Sequence, residues 1–204
     1  MRIWRRPQLL GVTGIVGGLA LLAAFVTPIS PNAARLVAFN VGAIAVATGM
    51  AMTHPSTKGA RFIAPVVFAN ALYAAMVVLA LGMDEPSTGV FGLTFFVVGI
   101  ALWLTDAAFG AWVVSSGPRA RVSRVGGFVL ALGSLMALAG LDRLGLAVHE
   151  SSETVFTYLP RFGVFMNSCG WCVLGLALLR SGSRDNAGLR GSDDRSARVN
   201  WEFK

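Results

Sequence analysis

The chain has 204 residues, 55% of them hydrophobic and only 13% charged, and its mean hydropathy is +0.67. A soluble domain carries about 25% charged residues, so the usual water-facing surface is missing and an ordinary soluble globule is excluded. The formal charge of +7 sorts by loop as a membrane topology signal does, and it gives no support to nucleic-acid binding.

The apolar residues fall into blocks near the ~20 residues that cross a hydrocarbon core at 1.5 Å per residue. They predict an all-α integral membrane protein, a six-transmembrane-helix bundle with short loops. In chain order the spans lie at about 8–27, 33–53, 62–83, 89–115, 124–142 and 156–180, one membrane domain over residues 1–180. Turn-forming residues mark the breaks: Thr27-Pro28-Ile29-Ser30-Pro31, His54-Pro55-Ser56, Asp84-Glu85-Pro86-Ser87 and Gly117-Pro118, then a longer connection from Asp142 to Val155. Helices are required, because strands of a closed barrel would alternate polar and apolar residues and these runs do not. Arg2, Arg5 and Arg6 before an apolar run also fit a signal peptide. The run ends in Val26-Thr27-Pro28-Ile29-Ser30 without a small-residue cleavage pattern, so a retained helix is expected.

Charge orients the spans. With the N-terminus in the cytoplasm, 14 of the 17 basic residues fall inside, and only Arg35, Arg143 and Arg161 fall outside. The positive-inside rule therefore predicts cytoplasmic N- and C-termini, in a bacterial cytoplasmic (inner) membrane. Residues 181–204 form a polar, basic segment with the composition of a solvated cytoplasmic tail. Trp201 and Phe203 are the residues by which a partner could hold it.

Glycine is placed in order along the spans. Gly14 and Gly18 make a GxxxG in the first. Gly99 and Gly110 flank Asp106 in the fourth, and Gly126, Gly133 and Gly140 recur every seven residues in the fifth. Small residues on one face let helix backbones approach closely in lipid, so a tight bundle or a subunit interface is expected.

The sixth span holds both cysteines in Asn167-Ser168-Cys169-Gly170-Trp171-Cys172. Cys169 and Cys172 are one helical turn apart near the bilayer centre, where the thiolate, the reactive form, is disfavoured. A disulfide between them would also distort a regular helix. The motif resembles the CxxC of thioredoxin-like proteins and of membrane quinone-linked oxidoreductases such as the vitamin K epoxide reductase family. The resemblance covers four residues and implies a redox dithiol. That family also carries a separate cysteine pair, which this chain lacks. The alternative is that Cys169, Gly170 and Cys172 are small packing residues. A second stretch, GAWVVSSGPRARVSRVGGFVLALGSL, resembles a pattern common in uncharacterised bacterial multi-pass proteins and implies no activity.

No metal or cofactor is expected. His54 and His149 lie on opposite sides of the bilayer, and Lys58 and Lys204, the only lysines, both lie outside the spans. What remains is polar and isolated. Asp106 is the only acid inside a span, and an intramembrane carboxylate is a functional-site hypothesis by default. Counting residues from the cytoplasmic helix ends puts Asn70 and Asp106 at one depth on antiparallel neighbours. Asp106 is thus expected to face the bundle interior and to bond Asn70, Tyr73 or a helix across the bundle. Asn40 and Asn167 are further interhelical bridges. Arg161 is expected to snorkel and pair with Asp142 or Glu153. Trp4, Trp112, Tyr158 and Trp201 read as interfacial belt residues, whereas Trp103 and Trp171 lie deeper, in core or in a hydrophobic pocket.

Loops this short hold no catalytic domain. The leading expectation is a non-enzymatic accessory subunit that binds or organises membrane lipids and other integral membrane proteins, or a homo-oligomer. The alternative is a small proton- or cation-coupled transporter or channel using Asp106, and the third is a membrane thiol oxidoreductase using Cys169 and Cys172.

Overall fold

In lipid, a long apolar run must satisfy its N–H and C=O groups by itself, and winding into helix does so. The computed structural model describes residues 6–26, 33–53, 57–83, 89–116, 120–144 and 161–181. Among the described residues there are six helices and no strand: α1 (Arg6–Val26), α2 (Ala33–Thr53), α3 (Thr57–Ala80), α4 (Gly89–Ser115), α5 (Arg121–Leu144) and α6 (Arg161–Ser181). The second and fourth have the bounds read from sequence. The third begins five residues earlier, at Thr57, and ends earlier, at Ala80, while the fifth is longer at both ends. Hydropathy finds the lipid-soluble middle of a helix, but its hydrogen bonds continue through polar residues such as Lys58 and Arg61. Pro65 stands inside α3, where it removes one N–H donor, a defect that transmembrane helices tolerate.

Five of these helices are long and apolar enough to cross a membrane: α2, α3 from Arg61, α4, α5 to Ala139, and α6. The apolar part of α1 described, Pro7–Ala23, is shorter. Large apolar side chains also point outward, among them Val16 on α1, Phe68 on α3, Leu93 on α4, Phe128 on α5 and Phe162 on α6. Water would penalise such a surface. Lipid does not, and the molecule has the character of a helical membrane bundle.

Consecutive helices pack against one another from α1 to α5. α6 then meets four of them: Gly163 lies on Ala137 of α5, Gly175 on the Gly11 backbone of α1, Leu178 on Gly49 of α2, and Trp171 stacks on Phe109 of α4 at 5.4 Å. The core comprises Val46, Met50, Val66, Phe109, Val113, Leu130, Trp171 and Leu174.

The glycines account for much of this closeness. Gly126 abuts Leu174 and Gly133 abuts Gly163 and Asn167, so the heptad face of α5 belongs to α6. Gly110 meets Gly127 and Ala131 across the α4–α5 contact. Three expectations need correction. Gly14 and Gly18 do not share an interface: Gly14 meets Gly42 and Val46 of α2, and Gly18 meets Ser168 and Cys172 of α6. The reason is that α1 sits between those two helices. Gly99 has only Tyr73 near it, at an ordinary 3.8 Å from where a Cβ would be, so it does not narrow its face. Trp112 is likewise a core residue rather than a belt residue, 5% exposed and between the rings of Phe62 and Phe109 at 6.2 and 5.6 Å. The tail from residue 182, residues 156–160, Trp4, Tyr158, Trp201, Glu153, and the surroundings of Gly140 and of the Asp142 side chain lie outside the described residues, as do the pairings expected there.

Candidate functional site: a polar node at Asp106

In a bundle whose inner and outer surfaces are both apolar, a polar side chain turned inward has few partners, and those within reach gather together. Among the described residues, the largest such gathering centres on Asp106 of α4, which is 0% exposed. Its Oδ1 accepts a hydrogen bond from Asn70 Nδ2 of α3 at 3.2 Å. Its Oδ2 accepts two from α6, from Asn167 Nδ2 and from Trp171 Nε1, each at 3.2 Å. Asn167 and Trp171 are four residues apart, one helical turn, which puts both on the same face and lets them reach one oxygen.

Each donor is itself held. Asn70 Nδ2 also donates to the Val66 carbonyl at 2.9 Å. Asn167 Nδ2 also donates to Ser134 Oγ of α5 at 2.8 Å, and that hydroxyl donates to the Leu130 carbonyl at 2.8 Å. The Trp171 ring lies nearly parallel to Phe109, 17° between planes, which fixes where its N–H points. The α5–α6 approach that brings Ser134 to Asn167 depends on Gly133 beside it, since a Cβ there would fall on the Asn167 backbone. Asn70, Ser134, Asn167 and Trp171 are all 0% exposed. Among the described residues, α3 and α6 thus bond the α4 carboxylate directly, α5 joins through Ser134, and the partners of the carboxylate are uncharged.

The node keeps unused capacity. The side-chain oxygens Oδ1 of Asn70 and Asn167 are buried without a hydrogen-bond partner. Each belongs to a residue already touching Asp106.

Of the polar residues singled out from sequence, Asp106, Asn70 and Asn167 come together, and Tyr73 and Asn40 do not join them. The Tyr73 ring packs on Phe95 of α4 at 5.0 Å. Phe95 and Gly99 lie eleven and seven residues before Asp106, about 10–16 Å away along the axis at 1.5 Å per residue, so the Tyr73 ring packs at a different level from Asp106. Asn40 donates to its own Leu36 carbonyl at 2.7 Å. Trp171 and Ser134 were missed. A signal for Trp171 was available, because a buried indole N–H needs an acceptor and the spans contain a single acid. Cys169 and Cys172 are free thiols, and Cys172 Sγ lies 3.7 Å from the Ile15 carbonyl of α1, at the contact that Gly18 makes possible. Among the described residues no three His, Cys, Asp or Glu side chains gather as metal ligands would.

No family model matches the chain, and neither a curated protein nor a solved structure is similar to it beyond chance.

Proposed function

We propose that this chain is a small proton- or cation-coupled transporter or channel in which Asp106 holds the ion. The observation that carries this reading is the fully buried carboxylate with three neutral N–H partners and, among the described residues, no counter-charge bonded to it. Burying an unpaired charge is costly, so the node invites a proton or a cation. A simple helix lock needs only amides and hydroxyls, such as the Asn167–Ser134 pair already present. The carboxylate adds a charge that locking does not require.

The topology taken with this reading is six spans with both termini cytoplasmic, in a bacterial inner membrane, supported by the 14-to-3 division of basic residues. The accessory-subunit reading drew on the glycine faces, and helices of this chain fill the faces of Gly14, Gly18, Gly110, Gly126 and Gly133. The thiol reading has Cys172 engaged at a helix contact.

The test is flux. Purified protein in liposomes is expected to dissipate an imposed pH or cation gradient, and Asp106→Asn, while still folded, is expected not to. Wild-type liposomes as tight as empty ones, or an Asp106→Asn variant as active as wild type, would reject the proposal. A stoichiometric membrane protein co-purifying in mild detergent would then favour the subunit.

A further inference from the structure

The geometry points to a proton, rather than a metal cation, as the ion that Asp106 takes, bound at Oδ1 on the side left open by Asn70. This rests on the reading of Asp106 as an ion site and names what it binds.

The inference comes from counting donors and acceptors. A carboxylate offers about four lone-pair positions, and a neutral carboxylic acid trades one of them for an O–H donor. The orientation of both amides around Asp106 is settled by their second partners. Asn70 Nδ2 faces the Val66 carbonyl, and Asn167 Nδ2 faces a Ser134 oxygen whose own hydrogen is committed to Leu130. Turning either amide over would set an oxygen against an acceptor. Both therefore present N–H to Asp106. Oδ2 then holds two donors and is filled, while Oδ1 holds one.

Three donors suit the carboxylate, and a neutral acid with Oδ2 as the carbonyl oxygen and Oδ1 as the hydroxyl can keep all three. The ionised form keeps the same three bonds and leaves one position on Oδ1 empty. One scaffold thus serves both states. In the step itself, hydronium transfers one proton to Oδ1 and leaves as water, and the charge of the node goes from −1 to 0. No bond between heavy atoms changes, and nothing is oxidised or reduced. The unpartnered Oδ1 atoms of Asn70 and Asn167 belong to the two residues that present N–H to the carboxyl, and the water left by the transfer is the acceptor for the new O–H.

A metal cation fits poorly. Such ions gather about six or more oxygen ligands, whereas the node has at most one open position on Asp106 and two amide oxygens to offer. The hydrogens of three N–H groups also point at the same carboxylate. Other titratable side chains on the helices around the node are Tyr73 on α3, packed on Phe95, and the free thiols of Cys169 and Cys172 on α6. The remaining charged residues stand toward helix ends: Arg61 on α3, Arg121 and Arg124 on α5, Arg161 and Arg180 on α6, together with Lys58 on α3 and Asp142 and Arg143 on α5, whose side chains lie outside the described residues. Among the described residues, none of these bonds Asp106.

Infrared spectroscopy of the full chain in lipid nanodiscs, with ¹³C-labelled aspartate, tests this directly. A carboxylic-acid C=O band is expected that comes and goes reversibly with pH while the protein stays folded. It should be absent in Asp106→Asn and moved in Asp106→Glu. Saturating sodium, potassium, magnesium or calcium chloride should leave it where it is. A shift of the band by one of these salts would replace the proton with that cation. A carboxyl that stays protonated, or stays ionised, at every pH would also overturn the inference. The flux assay separates the two proposals, since a band that titrates in a protein without flux leaves the proton site standing and removes the transport reading.

Discussion

Replacing Asp106 with leucine preserves the heavy-atom count and branching of the side chain and removes both acceptors. Three N–H groups then lose their partner: one hydrogen of Asn70 Nδ2, one of Asn167 Nδ2, and the Trp171 Nε1 hydrogen. The asparagines keep their second bonds, to Val66 and Ser134, so the loss is three bonds and no more. Hydrogen bonds inside membrane proteins average about 0.6 kcal/mol and reach about 1.7, which makes Asp106→Leu worth about 2–5 kcal/mol. The upper half of that range is favoured, because every residue of the node is 0% exposed and a buried donor left without its acceptor carries its desolvation cost. In Asp106→Asn the amide oxygen continues to accept from Asn167 and Trp171, and the new NH₂ faces the Asn70 donor. About one bond is lost, so a cost of about 0.6–1.7 kcal/mol is expected. Reversible unfolding of the purified variants in mixed micelles, all at one detergent composition, measures both values. Equal losses in the two variants, or a loss below about 1 kcal/mol for Asp106→Leu, would refute the three-donor account of the node.

Gly133→Ala places a methyl on the Asn167 backbone and 2.8 Å from the Gly163 carbonyl, and overpacking of this kind costs about 1–3 kcal/mol. Gly99→Ala, with its nearest neighbour at 3.8 Å, should stay within about 0.5 kcal/mol, and the same unfolding assay compares them. Gly18→Ala sets its methyl on Cys172 Sγ, so Cys172→Ala should relieve part of the damage. A double-mutant cycle that comes out additive would rule that contact out. Reporter fusions after residue 87 are expected outside the cytoplasm and fusions after residues 120 and 190 inside it. A cytoplasmic reporter at 87 ends the six-span topology.

The all-helical class and the positions of the five helices long and apolar enough to span are readable from the residues alone, because bilayer thickness sets their length and lipid leaves the backbone no partner but itself. The bounds Ala33–Thr53 and Gly89–Ser115 follow from where apolar runs meet polar breaks. So does the level shared by Asn70 and Asp106, since counting 1.5 Å steps from helix ends gives depth. Rotation about each helix axis is another matter. In water an amphipathic pattern shows which face turns inward. Here the core and the surroundings are both apolar, so Phe109, 0% exposed, and Phe128, 59% exposed, look alike in sequence. Only the packed bundle shows that Asn167 and Trp171 turn to the same oxygen of Asp106, that Ser134 stands behind Asn167, and that Tyr73 turns to Phe95 instead. Gly14 and Gly18, four residues apart, likewise go to different helices. Depth is a one-dimensional quantity that chain length encodes, whereas facing depends on contacts between helices distant in sequence, and those contacts are what the tertiary structure decided.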